Sequence, residues 1–476
     1  MISGFQLLTF VWSTLALVVV IVFPVDDWRA TVGVLMLGQA FCAALVRKRL
    51  KETASSPLPD FLTIMLLMQL FSKTLTALGL AVSGNAGSAG RVGDVLAARE
   101  IVPLQYQFQA EVVFLSAAVV FTFVWILLEG RRPLCIQGEP PPRVLFGTYG
   151  VSLGSYLALH TLGLSASLGM GVELLRLFSI GAVAVLLGGG SIFALGRKKS
   201  WVALAALLPL YVIALQTGMK AEAALVSLPI LLPIVRKITI ARVALLGCCV
   251  MVIVLFLFPF TQEWRVLNWE HAGGSATEKA TIADVAERVF ELWDKEGVLE
   301  TASDGAAKWL TRGASAEQGG LVMLIAERDG FIGPVLIEGL ATIFVPRFLW
   351  PDKPLYMPGA WFTWYLGNAD SPETATSATA MMLPTELYWM FGVPGVVIGM
   401  GLLGWIYFSS SRFLIKKAEF GIVPLVGYFA FLSRASGLQE IHTIYAVSSP
   451  LIFIVYVVAF DRIQRVFFRP RSAGTR

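Results

Sequence analysis

Apolar runs of about twenty residues, separated by short charged connections, follow one another along most of this chain. Nothing else in the sequence restricts the fold as much. Backbone amides and carbonyls cannot be left unsatisfied in lipid, so only helices and closed β-barrels span a bilayer. Over these runs apolar and polar residues do not alternate with period two, which excludes a membrane barrel. A hydrocarbon core roughly 30 Å thick takes about 20 apolar residues per helix. On that ruler the candidate spans are residues 5–23, 31–46, 61–82, 112–128, 144–164, 172–195, 201–215, 222–234, 241–260, 383–408, 422–432 and 444–460. The chain is 56% hydrophobic and only 14% charged over 476 residues. A soluble domain of this length has no use for so much apolar surface, because its exterior must be polar. The expected fold is therefore all-α: a polytopic transmembrane helix bundle of about 12 spans.

Lys and Arg gather at every second connection: Arg47-Lys48-Arg49 with Lys51, Arg131-Arg132, Arg197-Lys198-Lys199, Arg236-Lys237, Arg412 with Lys416-Lys417, and Arg462, Arg465, Arg469 and Arg471. Short cytoplasmic loops hold the positive excess of membrane proteins, so both termini are expected in the cytoplasm. The segment 331–350 is apolar enough to span, but counting it would put all the later basic loops outside. With Pro334 and Glu338 inside it, it reads as an interfacial or re-entrant element. Three regions follow: an N-terminal membrane bundle (1–260), a large periplasmic loop (261–382), and C-terminal helices with a basic tail (383–476).

The first span lacks a basic leader and a small-residue cleavage site and reads as an uncleaved anchor. Cys42, Cys248 and Cys249 fall in spans and Cys135 in a cytoplasmic loop, so neither a disulfide framework nor a cysteine metal site is expected. The net charge of +5 resides in topology-setting loops that meet anionic headgroups, which argues against nucleic acid as a partner. No GxxxxGK[ST] stretch is present to cradle nucleotide phosphates.

Within the central polar stretch, Ile282, Val285, Val289 and Leu292 recur at helical spacing behind a Thr281–Asp284 capping box, predicting a helix over 282–295 stopped by Gly297. Ser315, Glu317 and Gly330 bracket a second helix with Arg328 near its end. Pro346, Pro351, Pro354 and Pro358 then forbid a continuing helix and fix a rigid extended turn. That turn presents Arg347, Asp352 and Lys353 among Phe348, Trp350 and Tyr356, residue types that favour the headgroup level.

The series LTRGASAEQGG (310–320), FIGPVLIEGL (331–340), VPRFLWPDKP (345–354) and PTELYWMFGVPGVVIGM (384–400) resembles the Wzy-type oligosaccharide repeat-unit polymerases, the O-antigen polymerase-like family of bacterial surface polysaccharide assembly. A second echo is TGMKAEAA (217–224), where Lys220 stands in place of the family's frequent Arg and lacks its bidentate fork. The resemblance implies a multi-pass protein of the bacterial inner membrane. Its substrate would be an undecaprenyl-pyrophosphate-linked oligosaccharide, handled at the periplasmic face, with membrane lipids, a chain-length regulator and a flippase as partners. The donor sugar is already activated, so no cofactor is expected, and no clustered ligand set points to a metal.

Such a reaction develops negative charge on the departing pyrophosphate, best met by Arg or Lys in a water-poor pocket. The candidates are Arg312, Arg328, Arg347 and Lys220, then Lys353, with Arg434 in the last outer loop. A general base must take the acceptor hydroxyl's proton, and Glu386 and His442 are the two candidates. Each has a plainer reading. An outer Arg often pairs with a nearby acid, and His442 fits the end of a helix. Of the intramembrane charges, Glu173 and Arg176 are spaced to pair with each other, whereas Lys73 has no close sequence partner. His160 reads as structural. The rival classes are a lipid-linked glycan flippase or other transporter, a GT-C-like glycosyltransferase using Asp26-Asp27, and the related O-antigen ligase.

Overall fold

The computed structural model describes residues 28–52, 60–70, 102–130, 142–162, 170–189, 205–216, 258–265, 281–298, 315–343, 357–375, 381–418, 422–432 and 441–467, with a few isolated positions between them. Among these the protein is all-helical, with no strand. The helices are α1 (Trp28–Glu52), α2 (Phe61–Leu70), α3 (Leu104–Glu129), α4 (Pro142–Thr161), α5 (Met170–Gly189), α6 (Leu208–Gln216) and α7 (Phe258–Arg265). They continue with α8 (Ile282–Glu296), α9 (Ser315–Asp329), α10 (Pro358–Tyr365), α11 (Leu383–Ala418), α12 (Ile422–Leu432) and α13 (Thr443–Phe467). Three of them, within α3, α11 and α13, are long and apolar enough to cross a membrane. The expected span at 5–23, all of 222–234 except residues 226 and 229, and most of 241–260 lie outside the described residues.

The centre of the protein is α3 against α11, flanked by α12, α13 and α5. Between lipid-embedded helices there is little hydrophobic drive, so association depends on close packing and small residues at crossings. Gly404 of α11 illustrates this: a Cβ there would sit 3.1 Å from the Phe121 carbonyl oxygen of α3. Around that crossing, Phe61 of α2 packs on Tyr407 (ring centroids 4.6 Å), Phe431 (5.1 Å) and Trp125 (5.9 Å). Each such aromatic pair adds roughly 0.5–1.5 kcal/mol beyond area burial, so this cluster ties four helices together.

The two helices predicted in the central stretch are present. Thr281 caps α8 and forms the reciprocal box with Asp284, and Gly297 ends it at φ 92°. The Thr281 hydrogen bonds hold the Asp284 carboxyl below its usual range. Helix α9 spans Ser315–Asp329 and stops at Gly330, φ 82°. It is not a solvated loop helix. Leu321, Val322, Met323 and Ile325 are buried, and a Cβ on Gly319 would meet Phe114 at 2.8 Å, so α9 lies directly on α3. Segment 331–343 is not a spanning helix: Pro334 opens a 3-10 turn (Gly333–Ile337), followed by one turn of helix at Leu340–Ile343.

Helix α11 departs from the expected single span. Gly392 adopts φ 68°, ψ −154°, and Pro394 offers no N–H, so the hydrogen-bond ladder breaks there. A Cβ on Gly399 would lie 2.7 Å from the Leu387 side chain. In a straight helix those two residues are about 18 Å apart, so the first arm folds back along the second. The stretch able to cross a bilayer is therefore the second arm, residues 393–418, about 39 Å of helix. The break leaves the Trp389 carbonyl free of the ladder, and the Ile332 N–H takes it up at 3.1 Å, docking the chain after α9 onto the bend.

Lys73 finds its partner across the bundle, its Nζ lying 3.0 Å from Glu111 Oε2 of α3, with both side chains buried. Arg49, expected among the topology-setting cations, is also buried. It pairs with Asp60, the residue that caps α2, and its Nη2 donates to Glu129 Oε1 at 2.8 Å. His160 is exposed and stacks on Tyr156. Arg176 is buried, while the side chain of Glu173 lies outside the described residues.

Candidate functional site

Two residues that sequence reasoning set up as alternatives are hydrogen-bonded to each other. Glu386 lies in the first turn of α11, on the arm that the Gly392 bend folds back, and is completely buried. His442 immediately precedes α13, and its carbonyl accepts the N–H groups of Tyr445 (3.0 Å) and Ala446 (2.9 Å), so it occupies the cap position. Its Nδ1 is 2.8 Å from Glu386 Oε2, and Thr443 N–H donates to Oε1 at 3.0 Å. The first N–H groups of a helix have no partner within it, and the helix dipole there favours an anion. One carboxylate from α11 thus accepts the first N–H of α13 and holds the adjacent imidazole.

The chemistry follows from what each atom can donate. An ionised carboxylate only accepts, so Glu386 requires the proton of a neutral His442 on Nδ1, leaving the Nε2 lone pair as acceptor. Glu386 has no exposed surface, whereas the His442 side chain is 13% exposed. His442 is thus the member of the pair able to meet a substrate, and Glu386 the one that fixes its tautomer and orientation. Two buried polar atoms, the hydroxyl of Thr443 next to His442 and the indole N–H of Trp389 one turn beyond Glu386, have no hydrogen-bond partner among the described residues. Met382, which heads α11 at φ 61°, is a buried non-glycine residue in the left-handed region, a strained conformation of the kind that gathers at functional sites.

Trp389 lies three residues beyond Glu386, and its ring contacts Tyr365 (5.0 Å), Phe362 (5.7 Å) and Trp361 (5.8 Å) of α10. Tyr365 in turn donates its hydroxyl to Asp329 Oδ2 at 2.7 Å. Asp329 also receives the fork of Arg328, Nε to Oδ1 at 2.7 Å and Nη2 to Oδ2 at 2.8 Å. A chain of contacts thus runs from Arg328 through Asp329 and Tyr365 to Trp389, one turn along the same arm of α11 from Glu386, which in turn holds His442 at the start of α13. Of the pyrophosphate-binding candidates, Arg328 belongs to this chain but spends its fork on Asp329. Arg312, Arg347, Lys353, Lys220 and Arg434 lie outside the described residues. Sequence reasoning passed over Asp329, although it adjoins Arg328, and over Tyr365 and Trp389, whose spacing gave no signal.

The Arg328 and Tyr365 hydrogen bonds hold the Asp329 carboxyl down at about 2, and burial together with Asp329 pushes the Tyr365 hydroxyl up to about 12. A depressed folded pKa stabilises above the unfolded value near 3.8 and is lost as pH falls through about 2, so between pH 5 and 8 this network is insensitive to pH. Asp329→Asn is expected to loosen it locally. Such an exposed pair contributes about 0–1 kcal/mol, so the melting temperature stays near wild type. Amide exchange in peptides covering 326–332 and 361–366 accelerates; unchanged exchange there removes the network from the site.

A hollow of about 320 Å³ lies at the opposite ends of α11 and α13, lined by Phe413, Lys417, Pro424, Val457, Val458, Asp461 and Arg462. Among the described residues no group of three or more His, Cys, Asp or Glu is placed to hold a metal ion. No family model, no curated protein and no solved structure matches the chain.

Proposed function

We propose that this chain is a glycan-transferring enzyme of the bacterial inner membrane that polymerises undecaprenyl-pyrophosphate-linked oligosaccharide repeat units at the periplasmic face. On this reading it has about 12 spans, both termini in the cytoplasm and the central stretch outside. The observation supporting it is the buried Glu386 carboxylate 2.8 Å from a His442 ring that reaches the surface. A general base held in one tautomer by a buried acid suits glycosyl transfer from an activated donor, in which an acceptor hydroxyl must lose its proton.

In the proposed step, His442 Nε2 removes the proton of an acceptor sugar hydroxyl. The hydroxyl oxygen attacks the anomeric carbon of the donor, and the bond from that carbon to the pyrophosphate oxygen breaks. The leaving group departs as undecaprenyl pyrophosphate, with the bonding electrons on its oxygen. Its growing charge is the task assigned to Arg312, Arg347, Lys220, Lys353 and Arg434. Arg328, bound to Asp329, is better suited to hold α9 against α10 than to grip phosphate directly. The protonated imidazole is stabilised by Glu386.

The test is reconstitution of the purified chain with a synthetic polyprenyl-pyrophosphate oligosaccharide. The expected products are a ladder of chain lengths and one polyprenyl pyrophosphate released per bond formed. Movement of the intact lipid-linked unit across the bilayer without bond formation assigns a flippase and overturns the proposal. A single transfer onto a different acceptor, with no ladder, assigns a ligase.

A further inference from the structure

The hollow at the far ends of α11 and α13 belongs to no step described above. From Thr443, beside Glu386, to Asp461 at the hollow, α13 rises about 27 Å, close to the roughly 30 Å thickness of a hydrocarbon core. The Glu386–His442 pair and the hollow thus stand at opposite faces of one membrane-sized slab.

The lining is layered. Phe413, Pro424, Val457 and Val458 make an apolar wall from α11, α12 and α13, and Lys417 and Arg462 stand exposed at its rim. Lys417 Nζ lies 5.9 Å over the Phe413 ring, which directs a cation toward the mouth of the apolar wall. Asp461, buried at the same rim, offsets one of the two positive charges, and exposed Lys416 adds another from the last turn of α11. This is the section of a phospholipid: methylenes against the wall, and a phosphate level with the cations. The volume of about 320 Å³ is at the small end of ligand pockets, room for a headgroup and the first part of an acyl chain rather than a whole lipid.

We propose that this hollow is a binding site for one anionic glycerophospholipid, its phosphate held by Lys417 and Arg462 and its upper acyl chain laid on Val457, Val458 and Phe413. A zwitterionic lipid presents the same chain but an added ammonium, which the rim cations repel. A soluble phosphate ester presents the anion without the chain. The site is independent of the reaction proposed above.

The experiment is native mass spectrometry of the full-length protein in detergent, titrated with phosphatidylglycerol or with phosphatidylcholine. The expected result is a first phosphatidylglycerol bound before any phosphatidylcholine. It should be weakened at least about tenfold in the Lys417→Met/Arg462→Gln double variant, since each basic residue near a lipid surface changes affinity about fivefold. Val458→Phe, which narrows the hollow and leaves both charges, is expected to displace the same lipid. Lys295→Ala, on exposed α8, is the control and leaves binding unchanged. Equal binding of the two lipids, full retention in the double variant, or equal occupancy by glycerol 3-phosphate alone overturns the proposal.

Discussion

His442→Gln is expected to slow chain elongation by roughly 10²–10⁴-fold, the range that positioned proton transfer contributes to catalysis. Glutamine keeps a side-chain donor for Glu386 Oε2 but has no lone pair equivalent to Nε2, so the link between α11 and α13 survives while the base is removed. Glu386→Gln is expected to be slower than wild type through a different route. Its oxygen can still accept from Thr443 N–H, but its amide has no negative charge to stabilise an imidazolium. The competing account is purely structural, Glu386 and His442 serving as caps of α13. Loss of a cap costs about 0.5–2 kcal/mol and shows as a lower melting temperature. The two accounts separate on three readouts: rate at matched protein level, melting temperature, and recovery of His442→Ala activity by added imidazole. Loss of rate with a normal melt and recovery by imidazole supports the base. A lowered melt with rate within twofold of wild type would falsify it.

The pairing of Glu386 with His442 was half legible in the sequence. Both residues stood out because they are titratable groups at the starts of apolar runs, on the side expected to be outside. What brought them together was not legible, since it depends on the Gly392–Pro394 bend that turns the first arm of α11 back on itself. Read as a period, 383–408 is one span, and a glycine within an apolar run gives no angle. Local signals fared better. The Thr281–Asp284 box, Gly297 and Gly330 marked helix ends to within a residue, because capping is a contact between near neighbours. The bounds of α12 coincide with the run 422–432. The partners of Arg49 were not legible, because charge counting sees a basic residue beside Arg47 and Lys48 and cannot see Asp60 and Glu129 arriving from elsewhere in the fold. That α9 lies on α3 was not legible for a related reason: its two adjacent glycines, Gly319 and Gly320, are the flat surface that allows the contact, and spacing alone does not show what meets it.

Lys73→Met is expected to destabilise the protein by roughly 3–5 kcal/mol, because it removes the cation of a buried ion pair and leaves the Glu111 carboxylate in place. Methionine reproduces most of the lysine stem, which matters because that stem runs across Gly38 of α1, where a Cβ would meet Lys73 Cδ and Cε at 2.9 Å. The loss is therefore electrostatic rather than a packing defect. Removing both charges in Lys73→Met/Glu111→Leu is expected to restore most of the stability, since a buried ion pair is often matched by apolar residues of similar size. An ionisable residue inside a membrane bundle is otherwise a pointer to transport or catalysis. Under that reading Lys73→Met abolishes function and leaves the melting temperature alone. Under the structural reading, melting temperature falls in the single variant, recovers in the double, and activity follows folded protein. Thermal melts of the three proteins in one detergent, paired with elongation assays, decide between them. A single variant within about 1 kcal/mol of wild type refutes the structural role, since breaking a buried ion pair that holds two helices together costs roughly 3–5 kcal/mol.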